Sequence, residues 1–202
     1  MNGFENHRRR GRQSLKAKPE KKVSQKKWAE RLEPSDKILI LACGALAKEI
    51  AALIRLNGWT HLQTRFLPSK LHNTPEKIAD QLRTNLQGAQ AKFSRIFIGY
   101  ADCGTGGKID SLLEEFQVQR LPGAHCYEFF SGKDSFAELM EEEIGSFFLT
   151  DFLVEAFDKL VWQGMKIHTH PELLGIYFKH YKKLVYLGQV ENGALQTQAS
   201  EI

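Results

Sequence analysis

The sequence predicts an α/β fold, a three-layer sandwich around a mainly parallel sheet of about six strands, with a site at the carboxyl ends of those strands. Three observations carry this expectation. Short apolar runs alternate with amphipathic helical stretches, the order of repeated β-α-β units. Residues 37–42 (KILILA) and 95–100 (RIFIGY) are largely apolar instead of alternating with polar residues, as strands covered on both faces are. Glycine, asparagine and proline punctuate the ends of these segments.

The elements follow in order. Residues 37–42 form the first strand, which passes through Cys43-Gly44 into a helix. Leu46, Ile50, Leu53, Ile54 and Leu56 mark the apolar face of that helix, and Asn57-Gly58 ends it. A second strand covers 62–67 and stops at Pro68. Thr74 is placed to cap the next helix, Pro75 suits its first position, and Ile78, Leu82 and Leu86 supply its face. The strand at 95–100 runs into a loop at 102–107 and a helix at 108–116. A short strand at 118–121 leads to Pro122-Gly123-Ala124-His125-Cys126. Helices at 134–143, 151–161 and 171–181 and strands at 146–149 and 184–187 complete the pattern. The organisation is a basic tail at 1–36, one α/β domain at 37–190 and a C-terminal tail at 191–202.

Charge separates tail from domain. The whole chain of 202 residues carries a formal +4, but residues 1–36 hold 11 Lys/Arg against 5 Asp/Glu, and the remainder is net acidic. A tail of this composition is expected to be solvated and to meet nucleic acid only nonspecifically, since it lacks a binding motif and interleaved aromatics. No apolar run is long enough to span a bilayer, and the basic N-terminus is followed by no apolar stretch of a secretory signal. A cytoplasmic protein with reduced thiols is expected.

The chain has three cysteines, an odd number that a disulfide framework cannot use up. Each follows a predicted strand: Ala42-Cys43-Gly44, Asp102-Cys103-Gly104-Thr105-Gly106-Gly107 and His125-Cys126-Tyr127-Glu128. Free cysteine is also a small core hydrophobe. The glycines and polar residues around these three favour a shared site instead, with Cys43, Cys103 and Cys126 ligating zinc or an iron–sulfur cluster. His125, Asp102 and Glu128 are the candidates for a fourth ligand or for supporting hydrogen bonds. His72 and Asn73, in the loop after the second strand, are candidates to line the site. Glycines at a helix start let the backbone approach an anion, so Gly104, Thr105, Gly106 and Gly107 are a candidate anion-binding turn for a small anionic ligand. The same helix start would favour a Cys103 thiolate, which opens a reading as a cysteine-nucleophile enzyme with His125 as base. His168 and His170 read as surface or capping residues.

Ala42-Cys43-Gly44-Ala45-Leu46-Ala47, Leu71-His72-Asn73, the 102–107 loop, the run from Pro122 to Glu128 and Leu149-Thr150-Asp151-Phe152 together resemble a bacterial and archaeal family. It is catalogued as domain of unknown function 1638. The resemblance covers residues 37–190. It implies an association with corrinoid-dependent methyl transfer in one-carbon metabolism, and hence contact with a corrinoid. The alternative it leaves open is a non-enzymatic accessory protein that docks onto a methyltransferase or a corrinoid protein.

Overall fold

A computed structural model describes residues 37–142 and 144–202; the basic tail expected at 1–36 lies outside the described residues. The described residues belong to one compact unit. The fold is α/β with parallel strands, and the expected single six-stranded sheet is divided. Strands β1 (Ile38–Cys43), β2 (Leu62–Leu67), β3 (Arg95–Gly99) and β4 (Gln119–Arg120) form a four-stranded sheet in the order β2-β1-β3-β4. Strands β5 (Ser146–Thr150) and β6 (Lys183–Leu187) pair separately. Every pairing is parallel. The division follows from β4: only two of its residues pair, Gln119 with Phe97 and Arg120 with Ile98.

Between the strands lie helices α1 (Ala47–Asn57), α2 (Ile78–Ala89), α3 (Lys108–Phe116), α4 (Glu128–Ser131), α5 (Lys133–Glu142), α6 (Asp151–Phe157), α7 (Glu172–Tyr177) and α8 (Gly193–Ser200). Helix α2 buries Ile78, Leu82, Leu86 and Ala89, one stripe at helical spacing, and α3 adds Ile109 and Leu112. These meet Leu39, Leu41 and Ile98 of the sheet in the main core. Helix α1 ends as expected, with Gly58 left-handed at φ 62°. Its predicted apolar face is only partly covered: Leu46 is buried and Ile50 and Ile54 are half-buried, but Leu53 is 52% and Leu56 77% exposed.

Two elements differ from expectation at their ends. Thr74 makes no side-chain cap, and Pro75–Lys77 form a 3-10 turn before α2. Helix α6 widens into a π-helical stretch, Asp158–Gln163. The expected tail at 191–202 carries α8, capped by Asn192, whose carboxamide oxygen accepts from the Ala194 and Leu195 amides. Leu195 and Ala199 pack on Leu149 and Val154 in a second core under β5. Among the described residues no helix is long and apolar enough to cross a membrane.

Candidate functional site

The order β2-β1-β3-β4 sends the chain from β1 to one side and then back to the other, so a crevice opens beyond the carboxyl ends of β1 and β3. The three cysteines come from the ends of, or the loops after, β1, β3 and β4, which are neighbours in the sheet. All three are buried and unpaired by disulfide.

Cys43 is the last residue of β1, and its sulfur caps the following turn by accepting from the Ala45 amide at 3.4 Å. The same sulfur lies 3.1 Å from His72 Nε2. Burial pushes the Cys43 thiol up to about 11, and burial lowers the His72 imidazole. A protonated thiol therefore faces a neutral ring at neutral pH. The Tyr100 hydroxyl, in a residue only 1% exposed, sits against the Cys43 sulfur and makes no other hydrogen bond among the described residues.

Cys103 stands in the left-handed region at φ 50°, a conformation that costs a non-glycine residue about 1 kcal/mol. The loop holds it there. The Asp102 and Cys103 amides donate to the Gly123 and Ala124 carbonyls at 3.0 and 2.9 Å, clamping the loop onto the 122–126 turn. The Cys126 thiol then donates to the Cys103 sulfur, and this outweighs burial and lowers the Cys103 thiol. Cys126 pays the complement: donating its hydrogen to Cys103 and being buried push its own thiol far up. Of the two, Cys103 is the one that gives up its proton more readily.

The acidic residues hold the loops in shape. Asp102 accepts from the Thr105 hydroxyl at 2.7 Å and from the Gly107 and Gly106 amides at 2.8 and 3.2 Å. Three donors of the turn expected to bind an anion, the Thr105 hydroxyl and the Gly106 and Gly107 amides, are thus engaged by the protein's own carboxylate. Glu128 reaches back to the Ala124 and His125 amides at 2.7 and 3.2 Å. His125 Nδ1 accepts from the Tyr127 amide at 3.2 Å, which puts the ring proton on Nε2. Burial, then the neighbouring His72, lowers the His125 imidazole to about 4.

The metal expectation meets a different arrangement. Among the described residues no group of three or more His, Cys, Asp and Glu side chains could hold a metal ion as they stand. Cys43 is turned onto His72, Cys103 and Cys126 onto each other, and Asp102 and Glu128 onto backbone amides. Zinc or an iron–sulfur cluster does not fit this set without rearrangement.

Beside the thiols lies a cavity of about 980 Å³, lined by Cys103, Cys126, His72, Asn73 and His125 on one side and mainly apolar residues of the β5–β6 half on the other. That volume is at the upper end for small-molecule and cofactor sites. Cys43 is not part of its wall. Asn73 donates to the Leu160 carbonyl at 2.9 Å in the π-helical stretch, where the widened helix leaves that oxygen available. His168 and His170 are exposed away from this wall, the latter beside Glu172.

Residues 66–202 match the model of a family described as Protein of unknown function (DUF1638). The chain belongs to that family. No curated protein and no solved structure matches it. The DUF1638 match begins at Phe66, inside β2, and runs through α8. It therefore takes in Cys103, Cys126 and the cavity wall apart from Ala45 and Leu46, while Cys43 and β1 precede it, unlike the span of 37–190 expected from the motifs.

Sequence reasoning missed several residues of this DUF1638 cavity. Phe136, Phe148, Leu160 and Met165 form much of its apolar wall, and Ser146 contributes a buried hydroxyl without a partner among the described residues. The available signal was weak. Ser146, Phe148 and Thr150 share one face of β5 by alternation, but alternation does not reveal that this face borders an open space.

Proposed function

We propose that this DUF1638 protein holds a cofactor-sized, mainly apolar ligand in the cavity and engages its reactive centre with the Cys103 sulfur. The setting is the corrinoid-linked one-carbon and methyl-group metabolism that the family resemblance implies. The observation that supports the reading is a conjunction at Cys103: a sulfur favoured as thiolate, on a left-handed backbone between strand and helix, in the wall of a mainly apolar cavity. Such a thiolate attacks an electrophilic carbon, of which a methyl group is the smallest case. A carbon–sulfur bond forms, the bond to the leaving group breaks, and the leaving group departs with the electron pair. Cys126 steadies the sulfur, Asp102 and Glu128 hold the two loops that present it, and the aromatic wall offers the ligand an apolar surface.

Limited alkylation of the reduced protein with iodoacetamide near neutral pH, followed by peptide mapping, tests this. Cys103 is expected to be modified first; Cys103→Ser removes the fast site and Cys43→Ser leaves it. Equal modification of the three cysteines, or Cys43 reacting first, overturns the assignment. Stoichiometric zinc or iron in anaerobically purified protein, with Cys103 protected from alkylation, replaces it with metal ligation.

A further inference from the structure

Cys126 has no role in carbon transfer that a simple hydrogen-bond donor could not fill, yet it is a second thiol brought to the reactive one. We infer that Cys103 and Cys126 are a redox pair that reduces small-molecule disulfides and closes into a reversible Cys103–Cys126 disulfide. The inference rests on Cys103 being the reactive sulfur and adds a second chemistry to it.

Three observations carry it. The Cys103 amide is bonded to the Ala124 carbonyl at 2.9 Å, which brings the two cysteine segments side by side. The Cys103 and Cys126 thiols lie close enough to interact directly, and each shifts the other, Cys103 downward and Cys126 upward. Both cysteines are in the wall of the same cavity, so a reagent that reaches one reaches the other. Cys43 is near enough to both to be felt electrostatically, but its sulfur is engaged by His72 and does not border the cavity.

The steps divide between the two sulfurs as a nucleophile and a resolving thiol divide them. The Cys103 thiolate attacks one sulfur of the reagent; the Cys103–reagent disulfide forms, the reagent's own sulfur–sulfur bond breaks, and one thiolate leaves with the electron pair. Cys126 then attacks the Cys103 sulfur, giving its proton to the second departing thiolate. The dithiol has lost two electrons, and the reagent has been reduced to one thiolate and one thiol. His125 Nδ1, 3.7 Å from the Cys126 sulfur, is neutral and adds no positive charge that would hold Cys126 as a competing thiolate.

The test uses the full chain, reduced and then treated anaerobically with bis(2-hydroxyethyl) disulfide, with intact-mass measurement and peptide mapping. The expected product has lost the mass of two hydrogen atoms, with the Cys103 and Cys126 peptides linked, and Cys43→Ser behaves identically. Cys126→Ser is expected to stop with the reagent attached at Cys103. Wild-type protein that stops at that same adduct, or a link that includes Cys43, overturns the redox pair. If Cys103 is alkylated first but never links to Cys126, the redox inference fails and the carbon-transfer reading stands. If Cys103 reacts in neither assay, both fail.

Discussion

Replacing Asp102 tests the claim that a carboxylate, and not a bound anion, organises the loop that presents Cys103. Asp102→Ala removes the acceptor of three hydrogen bonds at 2.7, 2.8 and 3.2 Å. Hydrogen bonds to a charged group contribute roughly 1.5–3 kcal/mol each. The loop is partly open to water, and the exposed Gly106 amide recovers most of its loss by solvation. The expected net cost is therefore about 2–4 kcal/mol, mainly from Thr105 and Gly107. For a domain of this size that lowers the melting temperature by roughly 5–12 °C. Asp102→Asn keeps an acceptor but loses the charge, and should cost about half as much.

The pH dependence gives a second reading of the same contact. Burial pushes the Asp102 carboxyl up, but the bonds from Gly107, Thr105 and Gly106 outweigh it, so it titrates below the ordinary 3.8. With the folded value depressed, the unfolded chain takes up the proton first as pH falls. The contribution of the charge is thus fully present above about pH 4 and disappears as pH falls through the folded value. Urea unfolding of wild type and Asp102→Asn between neutral and acid pH should show a deficit at pH 7 that shrinks in acid. An Asp102→Ala protein within about 0.5 kcal/mol of wild type at pH 7 would refute the reasoning, since that is the ordinary range for inert surface changes. A deficit in Asp102→Asn that stays constant into acid would refute the part assigned to charge.

Other perturbations follow from the same geometry. Tyr100→Phe removes a buried hydroxyl whose one neighbour is the weakly accepting Cys43 sulfur and should change stability by less than about 1 kcal/mol in urea unfolding; a larger loss would show that the hydroxyl makes a strong bond. Gly44→Ala places a Cβ 2.9 Å from the Leu67 carbonyl oxygen, so the end of β2 must shift, at about 1–3 kcal/mol by the same assay. Leu82→Ala, at a side chain 1% exposed between α2 and the sheet, should cost about 2–5 kcal/mol. His125 is held neutral down to about 4, so the unfolded chain protonates first, from about pH 6.5 downward. Stability that this residue controls is present above that value and falls between the two, and His125→Asn should flatten the profile there; an unchanged profile would show the ring to be exposed to protons.

Much of the local structure was legible from neighbouring residues. KILILA and RIFIGY are strands because apolar residues without alternation suit a strand covered on both faces, and Gly58 ends α1 because the turn needs a left-handed residue. The 102–107 loop was legible as a special turn for a similar reason: its glycines at 104, 106 and 107 all have positive φ. Helix α8 was not legible, because GALQTQAS has little apolar stripe and gains its stability from Leu195 and Ala199 meeting β5 and α6.

By itself, then, the sequence determined the succession of strands and helices and put a cysteine at or just after the ends of three strands. Tertiary structure alone decided that four strands pair together and two apart, that Asp102 and Glu128 turn onto backbone amides, and that Cys43 joins His72 while Cys103 joins Cys126. The physical reason is one of range. Helix and strand patterns are set by side chains within a few residues of one another. The partner of a thiol or a carboxylate is whichever group the packed chain brings within about 3 Å. Cys43 and His72 are 29 positions apart, and nothing in the residues between them marks them as a pair.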